Sequence, residues 1–414
     1  MKKITVKILL WLGFCFLLCG CSGESEEKIE ITMIHGWGST EADHVAMRQI
    51  YEDFEKEHPN IHLNLISMPS STDVISKVGD LLTVGEIPDI VFTGGDGRES
   101  IFKFMVRMGY ALDLIPYLEK DEKFANNISP VIRESWTTTQ NRLYTVSDVL
   151  LLGGYWYNEE IFQKAGITAV PKTWEEWFAA CEKIERLNQG VTPMILDSNH
   201  ISYLMGVVLA NEDPGRWDNV RGGQLNINTP VFEAVMNRLS QISDHAKWAG
   251  NYSYLDTLDS FNKGKSAMYI NGVWANSMID PNLKVSYAPF PSDDGKGIAT
   301  RSACVGYILG NTGDRKRMEA SVEFLKYMLS EPVAVRILEE TGQVPSNPNI
   351  KMSEFHCSER LIQAVNCIEN AGVLMETPEN LWDLSRKKEY AESVMLYLQD
   401  KITEMEFRKR LSWM

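Results

Sequence analysis

The chain has 414 residues, a formal net charge of −15 and 10% aromatic residues, among them 11 Trp. That length exceeds one ordinary hydrophobic core and predicts two lobes, and the acidic balance argues against nucleic acid or anionic lipid as electrostatic partners. The seven His are scattered, and the one His-x-x-x-His spacing (His58 and His62) is interrupted by Pro59 and so is not two ligands on one helix face. The seven Cys show no Cys-x-x-Cys spacing, so no metal centre is predicted.

The chain opens with Lys2, Lys3 and Lys7, followed by an apolar run from Ile8 to Cys19. A run of that length is well short of the roughly 20 residues a membrane-spanning helix needs. Residues 1–20 therefore read as a secretion signal. Leu18-Cys19-Gly20-Cys21 resembles a bacterial lipobox, which implies a lipid on Cys21 and a new amino terminus there. Residues 21–29 are polar and without apolar periodicity, as a tether would be. Cys181, Cys304, Cys357 and Cys367 remain beyond the leader. A disulfide among them and isolated buried thiols are both open readings.

From residue 30 the pattern alternates strand and helix. Strands are predicted at 30–35, 61–66 and 85–92, with amphipathic helices at 41–57 and 74–83 between them. This β-α-β-α-β order predicts a doubly wound α/β sheet. It also places the loops 36–39, with Trp37 and Ser39, and 93–98, with Asp96, at one end of that sheet. A helix end and turn follow at 109–116. A strand is predicted over 153–158 and a helix over 159–165. Pro171-Lys172-Thr173-Trp174-Glu175-Glu176 reads as a capping box, with Thr173 as N-cap and Glu176 at N3. Further on come a short strand at 193–196, a loop at 197–200, a surface loop or hairpin at 211–228, and a helix at 230–246.

The most informative stretch is 261–274, Phe-Asn-Lys-Gly-Lys-Ser-Ala-Met-Tyr-Ile-Asn-Gly-Val-Trp. Gly264 suits the left-handed close of a helix, 266–270 a buried strand, and Asn271-Gly272 a turn. Trp274 then falls just past the strand's carboxyl end, where open α/β sheets bind ligands. Taken alone, Trp274 also reads as a core aromatic. This long motif resembles the signature of family 1 extracellular solute-binding proteins, the receptors of ABC sugar importers, and most of all their maltose/maltodextrin-binding branch. The Gly-x-x-Pro-Asp-Ile strand at 85–90 and the 171–176 run are also similar to that family.

The resemblance implies a two-lobed periplasmic-binding-protein fold, each lobe an α/β sheet sandwich, with three hinge crossings. It divides the chain into lobe 1 (30–145 plus 290–342) and lobe 2 (146–289 plus 343–414). The crossings are expected at 141–148, at 284–291 and at 341–346, with a strand region at 301–309 and paired helices at 319–329 and 332–340. It further implies that Trp274 and Trp382 stack on sugar rings and that Asp96 and Asp148 accept bonds from sugar hydroxyls. Arg386, four residues after Trp382 and on the same helix face, would help order the groove, and Trp174 would be structural. The loop after the third strand departs from the maltodextrin pattern at Thr93 and Gly97, so the resemblance does not extend to naming maltose as the ligand.

The function so implied is a membrane-anchored, monomeric, cofactor-free receptor on the extracellular face. It would close on a sugar or oligosaccharide and deliver it to an ABC permease without turnover. Two other readings stay open. Paired carboxylates and aromatics also describe a glycan-cleaving cleft, and the same acidic groups would suit a polyamine.

Overall fold

The computed structural model describes residues 28–95, 101–213, 227–249, 254–303, 305–376 and 384–413. Alternating side chains build the first sheet: β1 (Ile29–His35), β2 (Ile61–Ser67) and β3 (Ile90–Gly95). β1 lies parallel to both β2 and β3, and β10 (Val305–Leu309) closes the other side of β3 antiparallel, giving the order β10-β3-β1-β2. Helix α1 (Ala42–Glu57) buries Met47, Ile50, Tyr51 and Phe54, and α2 (Ser71–Thr83) buries Val74, Val78 and Leu82, each an i, i+3/i+4 stripe. Buried Asp89 accepts the Thr32 N–H at 2.8 Å and an Arg317 N–H at 2.7 Å, which ties two strands to a later helix, Arg315–Met328. The third strand starts five residues after Gly85, because Glu86 to Asp89 are used to turn into the sheet.

The second sheet is centred on β4 (Leu151–Asn158), which pairs antiparallel with β7 (Met268–Gly272) along one side. On its other side β9 (Ile298–Ser302) pairs with the first half of β4 and β8 (Val285–Ala288) with the second half. β11 (Val373–Met375) runs parallel to β9. The short strands β5 (Met194–Leu196) and β6 (Ala246–Trp248) pair parallel beside this sheet. The two faces of the sheet bury separate clusters, one around Tyr155, Trp174 and Trp177, the other around Trp156, Phe261 and Tyr269. Helix α3 (Trp174–Glu185) starts with the predicted box, in which Thr173 Oγ1 accepts the Glu176 N–H at 3.2 Å and Glu176 accepts the Thr173 N–H at 3.4 Å.

Several sequence-based expectations are corrected here. Asn271-Gly272 is strand, not turn: Gly272 has φ −75° and ψ 174° and sits opposite Gly153. The loop expected at 197–200 is mostly helix, since α4 runs Ser198–Glu212. That helix is apolar on all sides, with Ile201, Leu204, Met205, Val207, Val208 and Leu209 buried, so it lacks the amphipathic signal of a surface helix. The helix at 230–246 ends at Asp244, and Ala246 opens β6. The stretch 284–291 does not return to the first lobe, because β8 pairs with β4. The return falls between β9 and β10, which belong to different sheets, so 301–309 is two strands and not one.

Among the described residues the chain thus passes between lobes at 145–150, 302–305 and 342–346. Two of these passages are zipped together: the Leu150 N–H donates to Val344 O at 2.9 Å and the Ser346 N–H to Asp148 O at 2.7 Å. The Ser346 hydroxyl adds a bond to Ser147 O at 2.6 Å. β10 is stitched to the same place by the Tyr307 N–H donating to Val146 O at 2.8 Å. A multi-stranded hinge of this kind permits rotation of one lobe on the other without free tumbling.

Candidate functional site

The registers decide which strand ends face the hinge. In lobe 1 the carboxyl end of β3 pairs with Val305, just after a crossing, and the carboxyl end of β1 lies beside it. In lobe 2 Leu151 and Ser302, next to two crossings, are partners, and Gly272 is opposite Gly153. The carboxyl ends of β1 and β3 and the turn after β7 therefore all lie on the hinge side of their sheets.

On the lobe 2 side, Thr300, Gly153 and Gly272 form one row across β9, β4 and β7 and present the same face. Two of the three have no side chain, and the space is filled from elsewhere. A Cβ on Gly272 would lie 1.9 Å from Cζ3 of Trp274, and one on Gly153 would lie 1.5 Å from the Tyr203 hydroxyl. The Trp274 indole thus folds back over the end of its own strand, half-buried, beside a Tyr203–Thr300 hydroxyl pair 3.0 Å apart. Trp274 sits in a short 3-10 turn, Val273–Ser277. Arg360 holds that turn from behind, donating to Asn276 Oδ1 and O at 2.7 Å each, and Trp156 Nε1–H donates to Gly272 O at 3.0 Å. The sheet thereby presents an aromatic face flanked by hydroxyls.

On the lobe 1 side, Trp37 is half-buried, stacked on Phe92 at 5.5 Å and edge-on to His44 at 4.8 Å. Arg48 donates to the carbonyls of Trp37 and Ser39, and the Ser39 N–H donates to His44 Nδ1 at 3.2 Å. Gly38 allows the loops after β1 and β2 to touch, since a Cβ there would lie 2.4 Å from Met68 O. His35 below is wholly buried and accepts the Trp37 N–H on Nδ1 at 3.2 Å, so its proton is on Nε2, toward Ser67 Oγ at 3.1 Å. Burial, then Arg48 and His44, lower its pKa to about 4, and it stays neutral near neutral pH. Glu41, Asp43 and His44 bring three possible ligand atoms within 4.8 Å of one another, yet His44 already commits Nδ1 to Ser39.

Asp148 is 2% exposed, and its carboxylate points at lobe 1. Oδ2 accepts the Tyr307 hydroxyl at 2.6 Å, while Oδ1 has no partner among the described residues. Burial raises its pKa to about 6, against the opposing effect of the Tyr307 bond. The Tyr51 and Tyr307 hydroxyls are 3.0 Å apart, and Trp37 Nε1–H donates to the Tyr51 hydroxyl at 3.0 Å. Trp37 and Asp148 are thus brought into one network, and Trp274 belongs to the other sheet, just past β7. Arg386 is exposed, its guanidinium 5.4 Å from the centroid of the Trp413 ring in the C-terminal segment. Asp96, Trp382, Cys21 and Cys304 lie outside the described residues, and Cys181, Cys357 and Cys367 are free thiols. Sequence reasoning did not single out Tyr203, Thr300, Tyr51 or Tyr307. Each acts with a partner distant in sequence, 97 residues for Tyr203 and Thr300 and 256 for the two tyrosines, and no local pattern marks such pairs.

With the cleft so built, comparison with known families decides the class: the model for bacterial extracellular solute-binding proteins matches residues 37–335. The chain belongs to this family. Its members bind; they are not enzymes. The solute-binding protein is 23% identical over 381 residues to the multiple sugar-binding protein of Streptococcus mutans, covering 85% of this chain and 87% of that one. It is likewise 23% identical over 399 residues to the melibiose/raffinose/stachyose-binding protein of Bacillus subtilis, covering 91% and 89%. Its fold is shared with a Streptococcus pneumoniae solute-binding protein in complex with the blood group A-trisaccharide, with a TM-score of 0.75, 24% identity, and coverage of 92% and 97%. Among the described residues no helix is long and apolar enough to cross a membrane.

Proposed function

We propose that this solute-binding protein captures a carbohydrate between its lobes and delivers it to the permease of an ABC importer. The carrying observation is the Trp274 indole, laid over Gly272 at the cleft with the Tyr203–Thr300 hydroxyl pair beside it. A pyranose offers an apolar C–H face to such a ring and hydroxyls to such donors and acceptors. The sugar-binding names of relatives covering most of the chain support the same ligand class. Trp37 and Ser39 would meet the ligand from lobe 1. Asp96 and Trp382 would add a carboxylate and a second ring, with Arg386 steadying the segment that carries Trp382. Cys21 would carry the lipid that holds this receptor, as a monomer, on the outer face of the cell membrane.

The test is a melting-temperature screen against raffinose, melibiose, stachyose, chito-oligosaccharides, maltose and spermidine. Ligand that binds only the folded state raises the melting temperature by mass action. We expect a rise with one of the oligosaccharides, and Trp274→Ala to weaken its affinity about 10- to 100-fold, the usual loss of a central aromatic anchor. A rise with spermidine alone would replace the sugar with a polyamine, and an unchanged affinity in Trp274→Ala would remove the ring from the site.

A further inference from the structure

We propose that Tyr51 and Tyr307 are positioning residues that tie the Trp37 indole to the Asp148 carboxylate, so that the lobe 1 wall of the cleft and the hinge move together. The proposal rests on the cleft reading only in giving Trp37 a place beside the ligand. The connection itself is independent of what the ligand is.

Both ends of the chain set the direction of its protons. An indole N–H can only donate and an ionised carboxylate can only accept. Trp37 Nε1–H therefore donates to Tyr51, Tyr51 to Tyr307, and Tyr307 to Asp148 Oδ2, over 3.0, 3.0 and 2.6 Å. Tyr51 and Tyr307 are fully buried and Asp148 nearly so, and hydrogen bonds in such a medium polarise and strengthen one another. The rings leave little lateral play: Phe92 packs on Trp37 and on Tyr307, and Phe324 packs on both tyrosines.

The far end of this chain is part of the hinge. The Asp148 carbonyl accepts from Ser346, and Tyr307 exchanges backbone bonds with Val146. Rotation about the crossings would act on this carboxylate, and the hydrogen bonds through Tyr307 and Tyr51 would pass the displacement to Trp37. A carboxylate with one oxygen unsatisfied is also an expensive way to fill a buried site, where an apolar residue would cost less. Among the described residues, the ionisable groups facing this carboxylate are Tyr307 from β10 and, behind it, Tyr51 from α1. His35 of β1 lies edge-on to Tyr51 at 5.3 Å, and Arg48 of α1 is turned to the carbonyls of the Trp37 loop. The crossing Gln343 to Ser346 contributes no ionisable side chain.

The experiment follows the indole N–H proton of Trp37 by nitrogen-15 NMR in the intact, sugar-free protein, with the signal assigned by its loss in Trp37→Phe. The signal is expected to titrate with a midpoint near 6, the value burial gives Asp148. Asp148→Asn and Tyr307→Phe should each abolish that titration while the other indole signals keep their positions. A Trp37 signal that does not titrate, or that titrates unchanged in Tyr307→Phe, overturns the proposal. Tyr51→Phe serves if Tyr307→Phe does not fold. Because no sugar is present, failure of the carbohydrate assignment leaves this result readable.

Discussion

At the scale of residues, Asp148 shows the tension between fold and function. Burial raises its carboxyl from 3.8 to about 6, so the folded state holds the proton more tightly than the unfolded chain does. Its contribution to stability is complete with the group protonated, below about pH 4, and is lost as pH rises through about 6. Asp148→Asn is expected to stabilise the protein by about 1–2 kcal/mol near neutral pH and to remove this part of the pH dependence. Denaturant midpoints across a pH series check both. Trp274 depends in the same way on a single neighbour. Its ring occupies the space a Gly272 side chain would need, so the motif's Asn-Gly pair serves to seat the indole and not to turn the chain.

At the scale of elements, the hinge is held by close backbone approach. A Cβ on Gly306 would lie 2.1 Å from Val146 O and 2.4 Å from Ser147 Cα, backbone atoms that cannot swing aside. Gly306→Ala is expected to cost about 1–3 kcal/mol as an overpacked site and to spread the two crossings. A thermal melt reads the first effect, and faster amide exchange at Val146 and Tyr307 reads the second. The elements best legible in the sequence were those whose pattern is local. β1, α1, β2, α2 and β3 alternate in period as a doubly wound unit must. The Thr173–Glu176 box forms both of its bonds, and Gly264 closes its helix at φ 67° with the Lys265 N–H donating to Ser260 O at 2.9 Å. Helix α4 was not legible, because a helix buried on every side carries no stripe for the eye to follow.

At the scale of the whole molecule, two sheets have their own cores and are joined by hydrogen-bonded crossings, an architecture that permits hinge closure with each core kept intact. Saturating ligand should therefore lower the radius of gyration in solution scattering while the circular dichroism of the backbone stays constant. An unchanged radius with bound sugar would mean that the lobes are already closed. What the sequence by itself determined were the alternating α/β order, the helix caps and the 261–274 motif with its indole past a strand end. All of these depend on residues within about a turn or two of one another, where propensity and side-chain period act directly. Only the tertiary structure decided where the chain recrosses the hinge, that Gly153 and Gly272 stand opposite each other, and that Trp37 and Asp148 are joined through Tyr51 and Tyr307. Those pairings join residues far apart in the chain, and strand register and burial, which only the assembled cores impose, select them.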